Sequence, residues 1–427
     1  MIGWTGVSDF AGGYVNGRKI QSCMKWLNHL SRVTSQKVFL PQIDGLRFIA
    51  VMGVIAYHVL QICSYHFIAS LKSGAGGVGD KIIGEIFGAG HLGVPLFFAI
   101  SGFMLSLPFA KQYLCAAPPI PVGKYFVRRI TRIVPPYLIH LAFLFLLCGM
   151  VLRHFPSHPA LYYTNAWATY AWDHIFPSLV YANGFLFRAH PYPNIVLWAL
   201  EVEIQFYILV PFMTSVFMIP RERFRRGLIT VAILTATTIG FVIQPTYIYM
   251  FSLAGNIQYF LIGFLFCDFY LSGWVVRPEQ RRIWDILFLL ACGLIVLFQS
   301  RAVNEIMLPW LNLIILIAAF KGFYCVKFFS NPWIVAIGGM CYTIYLYHWL
   351  MISAFVRATE KFQTHIFWFD IIMQFAVLSV VIIIFCTFLF AIFERPFMRN
   401  DWLIKLWTMA RFLARPHSQR RAGNVPG

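Results

Sequence analysis

The stretch Leu40-Pro41-Gln42-Ile43-Asp44-Gly45-Leu46-Arg47-Phe48, running on through Tyr57 and His58 to Cys63, decides how this chain is read. Asp44 and Gly45 close a polar, turn-prone approach, and an apolar run starts at Leu46. One arginine and one histidine, Arg47 and His58, interrupt that run. On a helix the two side chains lie about 16 Å apart along the axis, at roughly 1.5 Å per residue. A charge at the start of a membrane helix and a titratable group half-way along it are more than an anchor needs. Ionisable residues inside a bilayer are costly and mark functional sites by default.

The rest of the chain suits a membrane reading. Of 427 residues, 59% are hydrophobic, 18% aromatic and only 12% charged, where soluble domains carry about 25% charged residues. The net charge of +18 would suggest nucleic acid in a soluble protein. In a membrane protein the same charge points to loop residues that set topology, to anionic lipid, or to a phosphorylated ligand on the basic side, and nucleic acid drops out. The nine cysteines include no CxxC pair, and most sit in apolar runs, where Cys behaves as a small hydrophobe. Neither a disulfide framework nor a metal site is expected.

Ten apolar segments are long enough to span a core of about 30 Å, which needs about 20 residues. They fall near 46–68, 91–110, 134–152, 195–218, 228–245, 249–271, 283–300, 305–320, 333–356 and 367–393. With the N-terminus inside, the inner segments hold 26 of the 34 Lys and Arg residues. That asymmetry orients the chain by the positive-inside rule. The expected fold is an all-α integral membrane protein, a polytopic bundle of about ten transmembrane helices with both termini cytoplasmic. Residues 1–39 lack a continuous apolar core of the signal-peptide kind and read as a cytoplasmic extension. Residues 40–398 form the transmembrane domain, and residues 399–427 a basic cytoplasmic tail. The long outer loop 153–194, with Trp167 and Trp172, suits the aromatic belt of a membrane interface or a surface that stacks on sugar rings.

Once the loop charges are set aside, few polar groups remain inside the spans. His58 lies in the first, Ser101 in the second, Glu201 and Glu203 in the fourth and His348 in the ninth. Placed at about 1.5 Å per residue, His58, Ser101, Glu203 and His348 fall between about 8 and 15 Å below the outer edge. Four polar groups from four helices at one depth suggest a site. A His–Glu pair would be economical, the carboxylate orienting the imidazole. The alternative is a set of polar contacts that only holds helices together. Glu201 and Glu203 are about 200° apart on a helix and cannot share a face.

The inner side has its own cluster, Lys124, Arg128, Arg129 and Arg132, ahead of Pro135-Pro136. Arg128 and Arg132 are spaced i, i+4 and share a helical face, where two guanidiniums make a phosphate clamp. A plain positive-inside loop explains the same residues equally well. Glu394-Arg395-Pro396 closes the last span on that side, and Glu394 can pair with one of these arginines.

These motifs resemble the acyltransferase-3 family of membrane O-acyltransferases, across about Leu40 to Met398. Arg47 with His58 is similar to the family's Arg-x10-His signature. Gly93-Val94-Pro95-Leu96-Phe97-Phe98-Ala99-Ile100-Ser101-Gly102-Phe103 resembles its second-helix pattern, and Arg128-Arg129-Ile130-Thr131-Arg132 its basic Arg-x-x-Arg motif. Trp198-Ala199-Leu200-Glu201-Val202-Glu203-Ile204-Gln205-Phe206-Tyr207 resembles its Trp-Ser-Leu-x-x-Glu-x-Gln-Phe-Tyr stretch. Tyr342-Thr343-Ile344-Tyr345-Leu346-Tyr347-His348 and Phe393-Glu394-Arg395-Pro396-Phe397 resemble its late motifs. Ala199 stands where serine is usual, and Glu201 is an extra acid, so Glu203 takes the place of the family glutamate. Some members carry a soluble hydrolase-like domain after the membrane domain. None is expected here, so that transfer is completed within the membrane domain or handed to a separate partner.

The resemblance implies transfer of an acyl group, often acetyl, from acyl-CoA to a hydroxyl of a carbohydrate or glycosylated small molecule. In that reading Arg47, Lys124, Arg128, Arg129 and Arg132 bind the phosphates of cytoplasmic acyl-CoA, and no metal takes part. His58 is the general base or, less economically, a transient acyl carrier. Glu203 orients it, and Ser101 or His348 positions the acceptor or the developing oxyanion. The enzyme would sit as a multi-pass protein in the inner (plasma) membrane, among membrane lipid. A different class stays open: a transporter or flippase of a glycolipid or small acid, with the buried His and Glu residues as a proton relay. A third reading is a sensory or scaffold membrane protein with no chemistry. Whether His58 or His348 is the base is undecided at this level.

Overall fold

The computed structural model describes residues 39–67, 77–154, 173, 175–186, 191, 194–243, 249, 251–276, 279–299, 302–359, 362, 364 and 366–398. The expectations for residues 1–38, for Trp167 and Trp172 and for the tail 399–427 lie outside the described residues. Within them every regular element is helical.

Helix α1 runs Pro41–Phe67, α2 Val78–Gly88 and α3 Gly93–Leu114, with a 3-10 turn, Ala89–Leu92, joining the last two. Helix α4 is Val122–His154, and two short helices follow, α5 Ile175–Leu179 and α6 Asn183–Leu186. Then come α7 Trp198–Met213, α8 Glu222–Ile243, α9 Leu253–Leu271, α10 Arg282–Phe298 and α11 Ala302–Lys321. The last four are α12 Phe323–Phe329, α13 Pro332–Gly339, α14 Cys341–Thr359 and α15 Phe367–Leu389.

Among the described residues, seven helices are long and apolar enough to cross a membrane, or up to nine if each of two bent pairs counts as one span. The pairs are α11 with α12, bent by 86°, and α13 with α14, bent by 72°. Helix α10, at 17 residues, stands at the lower end of the length a span needs, about 17 to 25 residues. Of the ten apolar segments of the sequence, nine are thus candidate spans, two of them within bent pairs, and the tenth is the shorter α10.

Three boundaries differ from the apolar pattern, each for a physical reason. Helix α1 begins at Pro41, so Asp44 and Gly45 lie in its first turn. Proline suits a first helical position, and Asp44 accepts a bond from Arg47 one turn on. The basic segment before Pro135 is already helical, because α4 starts at Val122 and continues through both prolines. Hydropathy sees only the part of α4 inside the apolar layer. Residues 78–88, which carry no span signal, form α2, capped where Gly77 N donates to the Asp80 carboxylate at 2.9 Å.

Helix α1 sits centrally, against α3, α12, α13, α14 and α15. Its Leu46, Val51, Ile55 and Val59 are fully buried. In a membrane, helices associate by close packing rather than by the hydrophobic effect, so small residues mark the seams. One such seam joins α3 to α9. A Cβ at Gly102 would fall 2.1 Å from the Phe260 carbonyl oxygen, and one at Gly263 would fall 2.3 Å from that of Ala99. Only glycine fits either position. Helix α9 is accordingly interior, with 67% of its apolar window buried against 22% for α8.

Polar joints hold the ends of the bundle. Asp268, at the end of α9, receives Nε–H bonds from Arg225 and, at 2.6 Å, from Arg226. At the bend between α11 and α12, Asp285 of α10 accepts the backbone N–H groups of Phe323, Tyr324 and Cys325 at 3.0, 3.0 and 2.8 Å. Three amides that begin a helix have no intrahelical partner, and one carboxylate satisfies them.

Candidate active site

Among the described residues, two neighbouring cavities bear on the site. The first, of about 140 Å³, is lined by Arg47, Arg129, Arg132, Glu203 and Glu394, with Ser101 in its wall. The phase of α4 decides which basic residues reach it. Arg129 and Arg132, at i, i+3, line the cavity, whereas Lys124 and Arg128 are exposed on another face. Arg129 lies 5.9 Å from the ring centres of both Tyr125 and Tyr207, a cation–π arrangement that orients a guanidinium without neutralising it. Tyr125 in turn donates its hydroxyl to the Tyr207 carbonyl at 3.2 Å.

Glu203 faces into this arginine-lined cavity. Its Oε1 accepts the Ser101 hydroxyl at 2.7 Å and the Tyr207 hydroxyl at 2.6 Å. Glu394 closes the far side and accepts bonds from the Thr343 backbone N–H, at 3.1 Å, and from the Thr343 hydroxyl. Acids and arginines alternate around a small space in which no charge stands far from its opposite.

The second cavity is larger, about 690 Å³, and its polar lining is mostly uncharged, with His58, Gln61, Tyr57, His91, Asn256 and Gln258 and one carboxylate, Glu305. The hydrogen-bond network assigns the histidine tautomers. Gln61 Nε2 donates to the Tyr57 hydroxyl at 3.0 Å, which leaves its Oε1 to accept from His58 Nδ1 at 3.2 Å. His58 then carries its lone pair on Nε2. The His348 ring lies 5.2 Å from that of His58, centre to centre. Its Nδ1 donates to the Tyr345 carbonyl at 2.8 Å, and among the described residues nothing bonds its Nε2. Both imidazoles thus present a basic Nε2, His58 at the cavity wall and His348 behind it.

The sequence-derived residues therefore fall into two pairs. His58 and His348 come together, and so do Ser101 and Glu203, but the pairs belong to different cavities. Glu203 is bonded to Ser101 and Tyr207 rather than to His58. Arg47, Arg129 and Arg132 share the cavity of Glu203, while Lys124 and Arg128 stand outside it. Glu201, on the opposite face of α7, has a structural task. It accepts the Asn183 and Gly184 backbone N–H groups at 3.0 and 2.9 Å and so caps α6.

Sequence reasoning missed several neighbours. Tyr207 is four residues beyond Glu203, and Gln61 three beyond His58. The i, i+4 and i, i+3 spacings were the available signal. His140 had none: it is fully buried on α4, Asn194 Nδ2 donates to its Nε2 at 3.1 Å, and its ring meets Tyr347 edge-on at 4.5 Å. Among the described residues no three His, Cys, Asp or Glu side chains gather as metal ligands would.

Residues 40–392 match the Acyltransferase domain family, Acyl_transf_3. A provisionally named O-acetyltransferase of Staphylococcus aureus (strain COL) is 26% identical over 394 residues, covering 85% of this chain and 58% of the relative. O-acetyltransferase OatA of Staphylococcus aureus (strain NCTC 8325 / PS 47) is 25% identical over 345 residues, 74% of this chain and 51% of OatA. The chain spans about half the length of the curated relatives it matches. No solved structure matches it.

Proposed function

Because the chain belongs to the acyltransferase family whose domain covers residues 40–392, we propose that it is a multi-pass membrane O-acyltransferase. The acyl group, acetyl by analogy with the named relatives, moves from acyl-CoA to a hydroxyl of a glycan or glycosylated acceptor. The observation that carries this reading is the pair of cavities, one lined by arginines and the other by His58, with the His348 ring 5.2 Å from it and the His348 Nε2 unbonded among the described residues. The basic residues of the sequence favour a cytoplasmic arginine side and cytoplasmic termini, in the plasma membrane.

The arginine-lined cavity, at about 140 Å³, is smaller than the roughly 300–1,000 Å³ of sites that enclose a drug-sized ligand. Arg47, Arg129 and Arg132 in its wall hold a phosphate of acyl-CoA, and the uncharged pantetheine arm runs on past them to bring the thioester to His58. Lys124 and Arg128, exposed on the same helix as Arg129, add attraction for the outlying phosphates. The acceptor enters the larger cavity, whose amides and aromatic rings suit hydroxyls and sugar faces.

His58 Nε2 takes the proton of the acceptor hydroxyl as its oxygen forms a bond to the thioester carbonyl carbon. The tetrahedral adduct collapses, the carbon–sulfur bond breaks, and the proton passes from His58 to the departing thiolate. An ester and a free thiol result, with no net change in protons. His348, held by the Tyr345 carbonyl, backs His58 and keeps its ring in place. Glu203 holds Ser101 and Tyr207, and through the Tyr207 ring it positions Arg129.

The test uses purified full-length protein in lipid vesicles, labelled acetyl-CoA and a panel of oligosaccharides. Label should appear on sugar with one thiol released per ester, and His58→Ala should abolish both. Passage of labelled sugar across the vesicle without thiol release would establish the carrier reading instead.

A further inference from the structure

The two cavities have two lining residues in common, Val94 of α3 and Tyr345 of α14. An acyl group that arrives on its carrier on the arginine side, and leaves on a hydroxyl on the histidine side, changes hands at the junction these two side chains form. We propose that Tyr345, with Val94 as its counterpart, sets the length of acyl group that this enzyme transfers. The inference rests on the acyl-transfer reading above.

Tyr345 is held in ways that suit a fixed stop. Its hydroxyl donates to the Val196 carbonyl at 2.7 Å, which ties the tip of the ring to the turn before α7. Its ring meets Phe97 of α3 edge-on, with centroids 6.2 Å apart, and lies tilted at 5.6 Å from His348. Its own carbonyl accepts from His348 Nδ1 at 2.8 Å. A ring tied at its tip and gripped on its sides cannot swing away without losing several contacts at once.

The wall beyond it is stiff as well. Phe98 stacks on Phe260 with centroids 4.7 Å apart and meets Trp198 edge-on at 6.2 Å. Interiors packed in this way do not expand for an extra group. The arginine side offers only about 140 Å³, so a longer acyl chain finds no other space to fold into. A two-carbon acyl group ends at the stop, and each further methylene presses on the Tyr345 ring.

A rigid apolar wall that refuses one methylene discriminates by about 10- to 200-fold in kcat/KM. Acetyl-, propionyl- and butyryl-CoA are compared as donors with the vesicle-reconstituted protein. The parent should fall steeply along that series. Tyr345→Ala should cut the acetyl-over-butyryl preference by about tenfold or more, and Val94→Ala should move it in the same direction by less. Tyr345→Phe keeps the ring and should keep the preference. Val94→Ala also serves as the second probe if Tyr345→Ala fails to fold, as judged by its gel-filtration profile. An acetyl-to-butyryl ratio equal to the parent's in folded variants at both positions overturns the inference.

A second readout needs no turnover. The Cys341 thiol belongs to the arginine-lined cavity. A membrane-impermeant thiol reagent applied to either side of the vesicle, and read by mass spectrometry at Cys341, reports passage between the cavities. Tyr345→Ala should speed labelling from the side of the histidine-lined cavity, and unchanged labelling overturns the stop. A parent that releases no thiol from any acyl-CoA overturns the acyl-transfer reading instead, and the labelling result still decides the stop.

Discussion

The arginine-lined and histidine-lined cavities meet at one tyrosine and are built on opposite principles. In the first, charges dominate: three arginines and two glutamates surround a space of about 140 Å³, with hydroxyls filling the remaining acceptor sites. In the second, a space of about 690 Å³ is lined by neutral amides, phenols and imidazoles, with Glu305 as its one carboxylate. Electrostatic attraction rises as the surroundings become less polar, so the small charged cavity is suited to gripping an anion. In the second, the His58 ring bonds the Gln61 amide rather than a carboxylate. The contrast is that of a charged space and a mostly uncharged one joined through shared lining residues within one bundle.

Substitutions that respect or cross this division test it. The largest effect belongs to His58→Ala. Removing a general base costs about 10²–10⁴ in rate, and thiol release should fall by that much while the KM for acyl-CoA stays at the parent value. A rise in that KM as well would mean that the cavities are not separate. Next comes Arg129→Ala or Arg132→Ala. A hydrogen bond to a charged group contributes about 1.5–3 kcal/mol, so the KM for acyl-CoA should rise about 10- to 150-fold, with the acceptor's KM unmoved.

Glu203→Ala acts through the wall. It strips the acceptor from two buried hydroxyls, those of Ser101 and Tyr207, at about 1–3 kcal/mol of stability. Thermal unfolding in detergent should show the loss, and Glu203→Gln, which keeps an acceptor oxygen, should recover most of it. The smallest effect is that of the exposed pair. Lys124→Ala with Arg128→Ala should change acyl-CoA affinity by no more than about 1 kcal/mol. That difference should vanish between 0.15 and 1 M salt, as the screening length falls from about 8 to about 3 Å.

Much of this was legible in the residues. Apolar runs marked the spans, because nothing else in a bilayer satisfies a backbone. Depth along each helix brought His58 to the level of His348, and the two rings do meet. Depth is one coordinate, however, and it says nothing of direction around the bundle. Glu203 lies at the same level as His58 and faces another cavity, because α7 is turned to place it against Ser101 and Tyr207. The same blindness exchanged Arg128 for Arg129. The i, i+4 spacing put Arg128 with Arg132, whereas Arg129 and Arg132, three apart, share the inward face, and that face is set by what α4 packs on. The bends at Gly322 and Met340 were equally hidden, since hydropathy does not register a change of direction.

The glycine seam between α3 and α9 has a mechanical consequence. Ser101 is the residue before Gly102, whose backbone lies against the Phe260 carbonyl, so its height is set by hard contact between two main chains. Such contact stiffens steeply with compression, unlike the yielding contact of long side chains. Bilayers differ in thickness by several ångströms, and helices answer by tilting. Helix α8, with most of its surface turned outward, can lean to follow the lipid. The α3–α9 pair can only tilt as a unit, so Ser101 keeps its height relative to α9 while the outer helices absorb the strain of the membrane.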